Sequence, residues 1–420
     1  MAGEPTGLLH AGGTASLPGA GNTWIDSLRE AGARRFTGLG LPTRKVEDWK
    51  YTDLRALSGS AWDLPVEPAD LANIEDDASA VLINGCWMRG HRPLPDGVEL
   101  VSLARAIEDG DDVVRHHLGS VASLARKHFV ALNTAWLADG LVLKVADGVT
   151  IDGPLRITLA GAPGAQRLAW HPRNLIVLGR EASLTLVMHH VGTGDYLANL
   201  VEEVVLERGA RLRHYRVQDD SPDAVNVSTT EVKVAGDATY ENFVLATGAG
   251  VGRNQIAVEL AEPGASVRLD GACLGRHRQQ LDTTTVIDHA APRCTSREAY
   301  RYILDDSAKG IFQGRVTVRK HAGGTDSHQS SKTLLLSGKA GIDAKPELEI
   351  YADDVSCGHG ATVGEIDQDA LFYMRSRGIP LEEARDLLIA AFIEGAVETI
   401  TSPEVQALIR DHALAWRTRA

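Results

Sequence analysis

The sequence predicts a mainly β protein, in which a β-helix (solenoid) core is flanked by N-terminal and C-terminal helical regions. From about residue 140, short β-prone runs alternate with turns rich in Gly, Asp and Pro. Within this stretch a pattern of strand, small or acidic pair, Ala and strand recurs at spacings of 28, 28 and 27 residues. The repeated alanines are Ala182, Ala210, Ala238 and Ala265. Self-similarity at such a period is typical of stacked coils.

Stacking explains how these repeats can be stable. Each unit has too few apolar residues to form a core alone, whereas stacked units pair each strand with its equivalent in the next coil and satisfy the backbone groups. The inward Val, Leu and Ile side chains then form one continuous core. We therefore expect the β-helix core to span 140–364. A β-sandwich built of hairpins is the alternative that the repeats leave open.

The N-terminal part of the chain is expected to be helical. Residues 1–22 are rich in Gly, Ala, Pro and Thr and predict a disordered tail, which leaves 23–139 as the N-terminal helical region. Thr23 is a candidate N-cap for a helix over 23–36, whose apolar face would carry Trp24, Leu28 and Ala31. Further helices are predicted in 69–74 and 103–120 and over 123–140, where Gly140 ends the last one, with a short strand over 79–87.

Three helices are predicted in a C-terminal helical domain over 365–420. The first, over 365–378, opens with carboxylates and ends at Gly378. The second, over 379–400, has an apolar stripe with helical spacing that Leu387 widens, and the third begins near Ser402. The members of the stripe are Leu381, Ala384, Leu388, Ala391 and Phe392.

Composition excludes several functions. The chain has 420 residues and a net charge of −13, which argues against binding nucleic acid or an anionic membrane surface. The first residues lack the pattern of a signal peptide, and the apolar run at 387–393 is too short to span a bilayer, so a cytoplasmic location is expected. The four cysteines contain no C-x-x-C pair and form no disulfide framework.

The segment "SCGHGATVG" (356–364) carries the candidate metal ligands, Cys357 and His359. On a strand, residues two apart project from the same face, and thiolate with imidazole suits zinc, copper or the iron of an iron–sulfur cluster. Gly358 and Gly360 would let another chain approach closely. Because a cluster usually needs about four protein ligands, the pair indicates a site shared with another chain.

Other interpretations of the pair stay open on the residues alone. A lone Cys is most often a small buried hydrophobe, and a lone His is most often a hydrogen-bonded core residue. A Cys nucleophile activated by His is disfavoured, because the two side chains would lie parallel on one strand. The remaining cysteines of the repeats and four other histidines are expected to be structural; they are Cys273, Cys294, His277, His289, His321 and His328.

Three stretches resemble the SufB/SufD family of iron–sulfur cluster assembly scaffolds, and within it the SufD type. They are "GLPTRKVEDWKYTDL" (40–54), "LDTTTVIDHAAPRCTSREAYRYILDDSAKGIFQGRVTV" (281–318) and "LLLSGKAGIDAKPELEIYADDVSCGHGATVGEIDQDALFYMRSRGI" (334–379). The resemblance covers roughly residues 40 to 400. It implies helical regions around a β-helix core, the same organisation that the repeats and the helical patterns predict.

The resemblance implies a non-enzymatic scaffold subunit of a SufB–SufC–SufD complex. SufB and SufD pair through their β-helices, the SufC ATPase docks on C-terminal helices, and a transient iron–sulfur cluster forms at the SufB–SufD interface. The Cys and His of the family's C-x-H-G-A-T segment correspond to Cys357 and His359. Gly360 stands where SufB-type chains tend to carry a glutamate, which favours SufD. The cluster type, the sulfur donor and flavin binding are left open.

Two alternatives accompany this reading of the chain. One is a SufB-type paralogue, or a homodimer of this chain acting alone. The other, more remote, is a β-helix carbohydrate-active enzyme, which would need paired carboxylates and aromatic stacking platforms. An aromatic content of 5% makes the enzyme the weaker alternative. The chain has no Walker A pattern, so an ATPase in its complex must be a partner.

Overall fold

The chain folds into a β-solenoid of two sheets, as a computed structural model shows. The described residues are 8, 17–57, 62–65, 78–88, 94–125, 127–164 and 167–418. Successive strands of the solenoid alternate between the sheets, so each coil gives one strand to each sheet. Strand pairing is parallel except in two pairs near the N-terminus. A β-sandwich built of hairpins would instead pair its strands antiparallel throughout. The β-helix prediction is confirmed and the sandwich alternative is wrong.

The first sheet has ten strands in the described part of the chain. In spatial order they are β2 (Cys86–Trp87), β1 (Ala80–Ile83), β5 (Thr150–Gly161), β8 (Ser183–Gly192), β10 (Arg211–Asp219), β12 (Thr239–Ala246), β14 (Ser266–Gly275), β16 (Thr295–Leu304), β18 (Thr325–Leu335) and β20 (Val355–Glu365).

The second sheet faces the first across the interior of the solenoid. Its strands in spatial order are β19 (Gly341–Ile350), β17 (Lys309–Val318), β15 (Gln280–His289), β13 (Val251–Leu260), β11 (Val225–Val234), β9 (Tyr196–Leu206), β7 (Arg173–Leu178), β4 (Leu141–Val145) and β3 (Val98–Ser102), and β6 (Leu168–Trp170) also pairs with β9.

The repeated alanines occupy equivalent buried positions at the start of successive strands of the first sheet. All four are 0% or 1% exposed, so a small side chain fills the interior where the chain turns into the strand. In the next coil Cys294 takes the place of Ala265, since Ser266 pairs with Thr295. This equivalence explains why Cys294 is buried and packs in the interior core.

The N-terminal region combines helices with three strands that extend the two sheets. Its helices are α1 (Thr23–Leu39), α2 (Leu103–Glu108), α3 (Asp112–His117) and α4 (His128–Ala135), with short 3-10 helices at Glu47–Trp49 and Arg55–Leu57. The predicted strand at 79–87 is a hairpin of β1 and β2, with Asn84 and Gly85 both at positive φ in its two-residue turn. The predicted helix at 69–74 lies outside the described residues.

Two details of the N-terminal helices differ from the sequence prediction. Helix α1 buries Ile25, Arg29, Gly32 and Phe36, and Asn22 precedes it as the N-cap. Trp24 and Leu28 of the predicted face are partly buried against an apolar cluster. Arg29 can be buried because its guanidinium donates to the carbonyl of Leu137. Helix α4 is shorter than predicted and ends before Gly140. Within the predicted tail, Leu8 is buried and its carbonyl accepts a hydrogen bond from the Trp136 indole.

The C-terminal helices cover the outer face of the first sheet. They are α5 (Gln368–Ser376), α6 (Leu381–Val397) and α7 (Pro403–Thr418). A buried apolar cluster joins α6 and α7 to side chains of β8, β10, β12, β14 and β16. The buried positions of α6 are Ala384, Ile389, Ile393, Ala396 and Val397, so its buried face is rotated from the predicted stripe. Leu387, predicted to widen that stripe, is 48% exposed.

Candidate functional site

The candidate ligands lie on the last strand of the first sheet, at the open end of the solenoid. Among the described residues, β20 pairs only with β18, and β19 pairs only with β17 in the other sheet. The strand predicted to carry both ligands is therefore present, and Cys357 and His359 share one face of it. That face is the interior one, because Cys357 packs against the interior core.

Exposure differs between the two side chains. Cys357 is half-buried, whereas His359 is exposed. Burial raises the pKa of the Cys357 thiol, and the nearby Asp326 carboxylate adds to the rise, against a backbone hydrogen bond from Ser327. The thiol is therefore protonated at neutral pH in the free chain, and binding a metal would release its proton.

The glycines beside the ligands are not required by the fold of this chain. A Cβ added to Gly360 or Gly364 would meet no atom within 4 Å, and one added to Gly358 would meet only the His328 ring at 3.9 Å. None of the three has a positive φ. Gly271, inside the same sheet, contrasts with them, because a Cβ there would lie 2.6 Å from Tyr300.

His328 lies on the strand next to the predicted ligands, but on the outer face of the sheet. It pairs with Gly358, so its side chain points away from the interior face that carries Cys357 and His359, and it lines an open groove of about 390 Å³ on the outer face. Its Nδ1 is 3.2 Å from Asp326 Oδ1.

The other predicted structural residues lie away from the site. His289 Nε2 is 2.9 Å from the Ser296 hydroxyl, and His321 Nε2 is 3.0 Å from the Ala290 carbonyl. Cys273 is buried in the core, where burial raises its pKa to about 11. The described residues contain no group of three or more His, Cys, Asp or Glu side chains placed to hold a metal ion. The site within this chain thus consists of the two predicted ligands.

All the large hydrophobic side chains that are exposed in the described part of the chain follow residue 349. One set surrounds the open end and consists of Ile350, Tyr351 and Val363. The second set, on the C-terminal helices, consists of Phe372, Tyr373, Leu381, Leu387 and Leu414. Exposed apolar side chains that are concentrated in this way mark interaction surfaces. No helix among the described residues has the length and apolar character to cross a membrane.

The fold and the site define a class of protein: a β-solenoid subunit with an open end that presents a thiol and an imidazole. Residues 161–392 match the family described as "SUF system FeS cluster assembly, SufBD core domain", and 16–157 match "SufBD protein N-terminal region". The core match covers more than half of the chain. The chain belongs to the SufBD family of the SUF iron–sulfur cluster assembly system, as the resemblance predicted.

Individual relatives include both types of subunit. The iron–sulfur cluster assembly protein SufD of Escherichia coli is 29% identical, over 86% of this chain and 86% of its own length. The chloroplastic protein ABCI7 of Arabidopsis thaliana is 28% identical, over 96% of this chain and 87% of its own. The protein SufB of Bacillus subtilis is 27% identical, over 71% of this chain and 64% of its own length.

Proposed function

We propose that this chain is a SufD-type, non-enzymatic scaffold subunit that pairs with a SufB-type subunit and a SufC-type ATPase. In this proposal Cys357 and His359 contribute to a nascent iron–sulfur cluster at the junction with the SufB-type subunit. The observation that carries it is the pair of ligands on an edge strand whose glycines this fold does not need.

The SufD assignment rests on coverage and on one residue. The matched share of both chains is higher for the SufD of Escherichia coli than for the SufB of Bacillus subtilis. Gly360 also stands where a SufB-type chain tends to have a glutamate. A SufB-type role or a homodimer remains the second candidate, and the mass of the purified complex distinguishes the two.

Edge strands support the pairing with a second solenoid. A terminal strand leaves one row of N–H and C=O groups free for another chain, and many proteins block such edges with Pro or Lys. Strand β19 carries Lys345 and Pro346, whereas β20 has neither residue type between Val355 and Glu365. The unblocked strand is the one with the candidate ligands, so a partner that extends the first sheet would cover them.

The exposed set on the C-terminal helices supports docking of the ATPase. Phe372 is 74% exposed on α5, next to Tyr373 and the basic Arg375 and Arg377. Aromatic and Arg side chains are enriched at protein interfaces. Helices α6 and α7 also expose Leu381, Leu387 and Leu414, but most of their apolar side chains are buried on the solenoid. Removing everything after Gly364 would expose that cluster, so point substitutions are the better test.

The cluster is cargo for this subunit, and its own residues would hold it only in part. Thiolate and imidazole are suitable ligands for cluster iron, and two of them leave about two positions for the SufB-type partner. Cys357 must lose its proton first, which a nearby cation would favour. We expect His359 to matter more than Cys357, because the partner can supply other thiolates.

Anaerobic reconstitution of the three-subunit complex tests the site. His359→Ala and Cys357→Ala should each lower the cluster yield, with the larger loss for His359→Ala. Ser356→Ala is the matched control, because Ser356 is the neighbour of Cys357 on the opposite face of β20. An unchanged yield in both ligand variants would contradict the proposed site.

A second experiment tests the docking of the ATPase. Phe372→Asp should reduce the amount of SufC-type subunit that co-purifies, without lowering the unfolding temperature of the free chain. Ile393→Asp is the contrasting variant, because Ile393 is buried against the solenoid and its loss should destabilise the chain. Full retention of the ATPase by Phe372→Asp would place its docking surface elsewhere.

A further inference from the structure

A stack of polar side chains inside the solenoid ends at His359. Strand pairing places Glu298 of β16, Gln329 of β18 and His359 of β20 directly beside one another on three consecutive coils. All three face the interior by strand alternation. Glu298 and Gln329 are each 3% exposed, whereas His359 is exposed at the open end. The stack therefore runs from the closed interior to the candidate ligand.

The opposite sheet is shaped around this stack. At the level of Glu298 it holds Thr285, whose hydroxyl donates to Glu298 Oε1 at 2.5 Å. In the next coil, the opposite sheet holds Gly314, where an added Cβ would lie 2.0 Å from Gln329 Nε2. The next residue in that row is Pro346, which has no polar side chain to offer His359. The missing Cβ of Gly314 makes room for the Gln329 amide.

Hydrogen bonding fixes which way the Gln329 amide points. Its Nε2 donates to Glu298 Oε2 at 2.6 Å, and this bond directs the NH₂ end of the amide toward Glu298. The amide oxygen, Gln329 Oε1, is buried and has no hydrogen-bond partner in the described structure. A buried acceptor without a partner is costly, and a donor beside it would remove that cost.

We infer that Gln329 is a positioning residue for His359: its free amide oxygen accepts a hydrogen bond from an imidazole N–H of His359 when a partner covers the open end. Metal-binding imidazoles commonly donate their second N–H to an oxygen, which fixes the tautomer and the orientation of the ring. Glu298 would hold the amide in the required orientation. This inference rests on the proposed function of His359.

Titration of Co²⁺ into the cluster-free three-subunit complex tests the inference, because the d–d absorption of Co²⁺ reports affinity and ligand set without any cluster assembly. Gln329→Met removes the oxygen at similar volume and should weaken Co²⁺ binding about 10- to 100-fold, the usual effect of losing such a partner. Its spectrum should move toward that of His359→Ala. Gly314→Ala, which displaces the amide from the opposite sheet, should weaken binding in the same direction.

Thr333→Val is the matched control. Thr333 lies on β18 with the same inward orientation, and its buried hydroxyl also lacks a partner, but it pairs with Val363, which cannot bind a metal. It should change Co²⁺ affinity less than twofold. If His359→Ala weakens Co²⁺ binding while Gln329→Met and Gly314→Ala do not, the inference fails and the proposed site survives. If His359→Ala itself has no effect, both fail.

Discussion

Glu298 should make the stability of the protein depend on pH in a way that Glu298→Gln removes. Burial raises the pKa of Glu298 to about 7 from its ordinary 4.5, against the opposing hydrogen bonds from Thr285 and Gln329. At 1.36 kcal/mol for each pKa unit, this difference corresponds to about 3 kcal/mol. Between pH 4.5 and pH 7 the folded chain holds a proton on Glu298 that the unfolded chain has lost.

The sign follows from this proton. A folded-state pKa above the unfolded value contributes stability below pH 4.5, and that contribution is lost as the pH rises through 7. The glutamine variant has no proton to lose at this position. Relative to the natural protein, Glu298→Gln should therefore become more stable by about 3 kcal/mol between pH 4.5 and pH 8.

Urea unfolding of both proteins at several pH values in this range measures the difference. The difference curve is the diagnostic quantity, because other buried groups titrate in both proteins and cancel. Thr285→Val is a useful control, since it removes one donor to Glu298 and should raise the midpoint of the pH dependence without abolishing it. Parallel stability curves for Glu298→Gln and the natural protein would refute the reasoning.

Four other substitutions test the roles of individual residues in stability and in partner binding. Gly360→Val should leave the free chain as stable or slightly more stable, while weakening its binding to the SufB-type subunit at least tenfold in a titrated pull-down. Gly271→Ala should instead destabilise the free chain, because the added Cβ would lie 2.6 Å from the Tyr300 ring, and should leave that binding unchanged. Glu203→Gln should cost about 3–5 kcal/mol in urea unfolding, because it leaves the buried Arg173 without its ion pair. His214→Asn should remove a pH dependence of stability that is opposite to that of Glu298. Burial lowers the pKa of His214 to about 4, so the stability that the neutral imidazole contributes is lost as the pH falls from about 6.5. Stability curves of the variant and the natural protein that stay parallel from pH 4 to 7 would contradict this.

The solenoid could be predicted from the sequence because its repeat is local. Each alanine marks a position where the chain turns into a strand, and equal spacing of equal environments forces the parallel register seen between β10 and β12. The same-face placement of Cys357 and His359 needed only strand alternation. These inferences depend on neighbours a few residues apart, so they are accessible without knowing how distant segments pack.

The remaining features depend on contacts between distant segments. The buried face of α6 is set by the sheet beneath it, where Arg301 donates to the Phe392 carbonyl and its guanidinium occupies the space beside Gly395. Sequence spacing alone gave a stripe with the right period and the wrong phase. The role of Gln329 was equally hidden, because the spacing between paired positions lengthens from 28 residues at β10–β12 to 30 at β18–β20.

Helix α5 connects the two surfaces that the proposed function requires. Strand β20 ends at Glu365, and Asp367 caps α5 two residues later, where its carboxylate accepts hydrogen bonds from the Asp369 and Ala370 N–H groups. Within α5 only Leu371 is buried, beside a cleft of about 400 Å³ that α5 lines together with α6 and the ends of β18 and β20. Because α5 directly follows β20 and also packs against α6, a load applied to α5 would reach both elements.

Weakening this single anchor tests the connection. Leu371→Ala removes the buried side chain of α5 and should cost less than the 2–5 kcal/mol of a fully enclosed Leu, because the cleft is open. We expect amide hydrogen exchange to accelerate in α5 and β20 together, while α6 keeps its protection through its own buried cluster. Acceleration confined to α5 would mean that helix and strand move independently. Joint acceleration would mean that movement of α5, where we propose that the ATPase docks, is transmitted to Cys357 and His359, because both lie on the strand that precedes the helix.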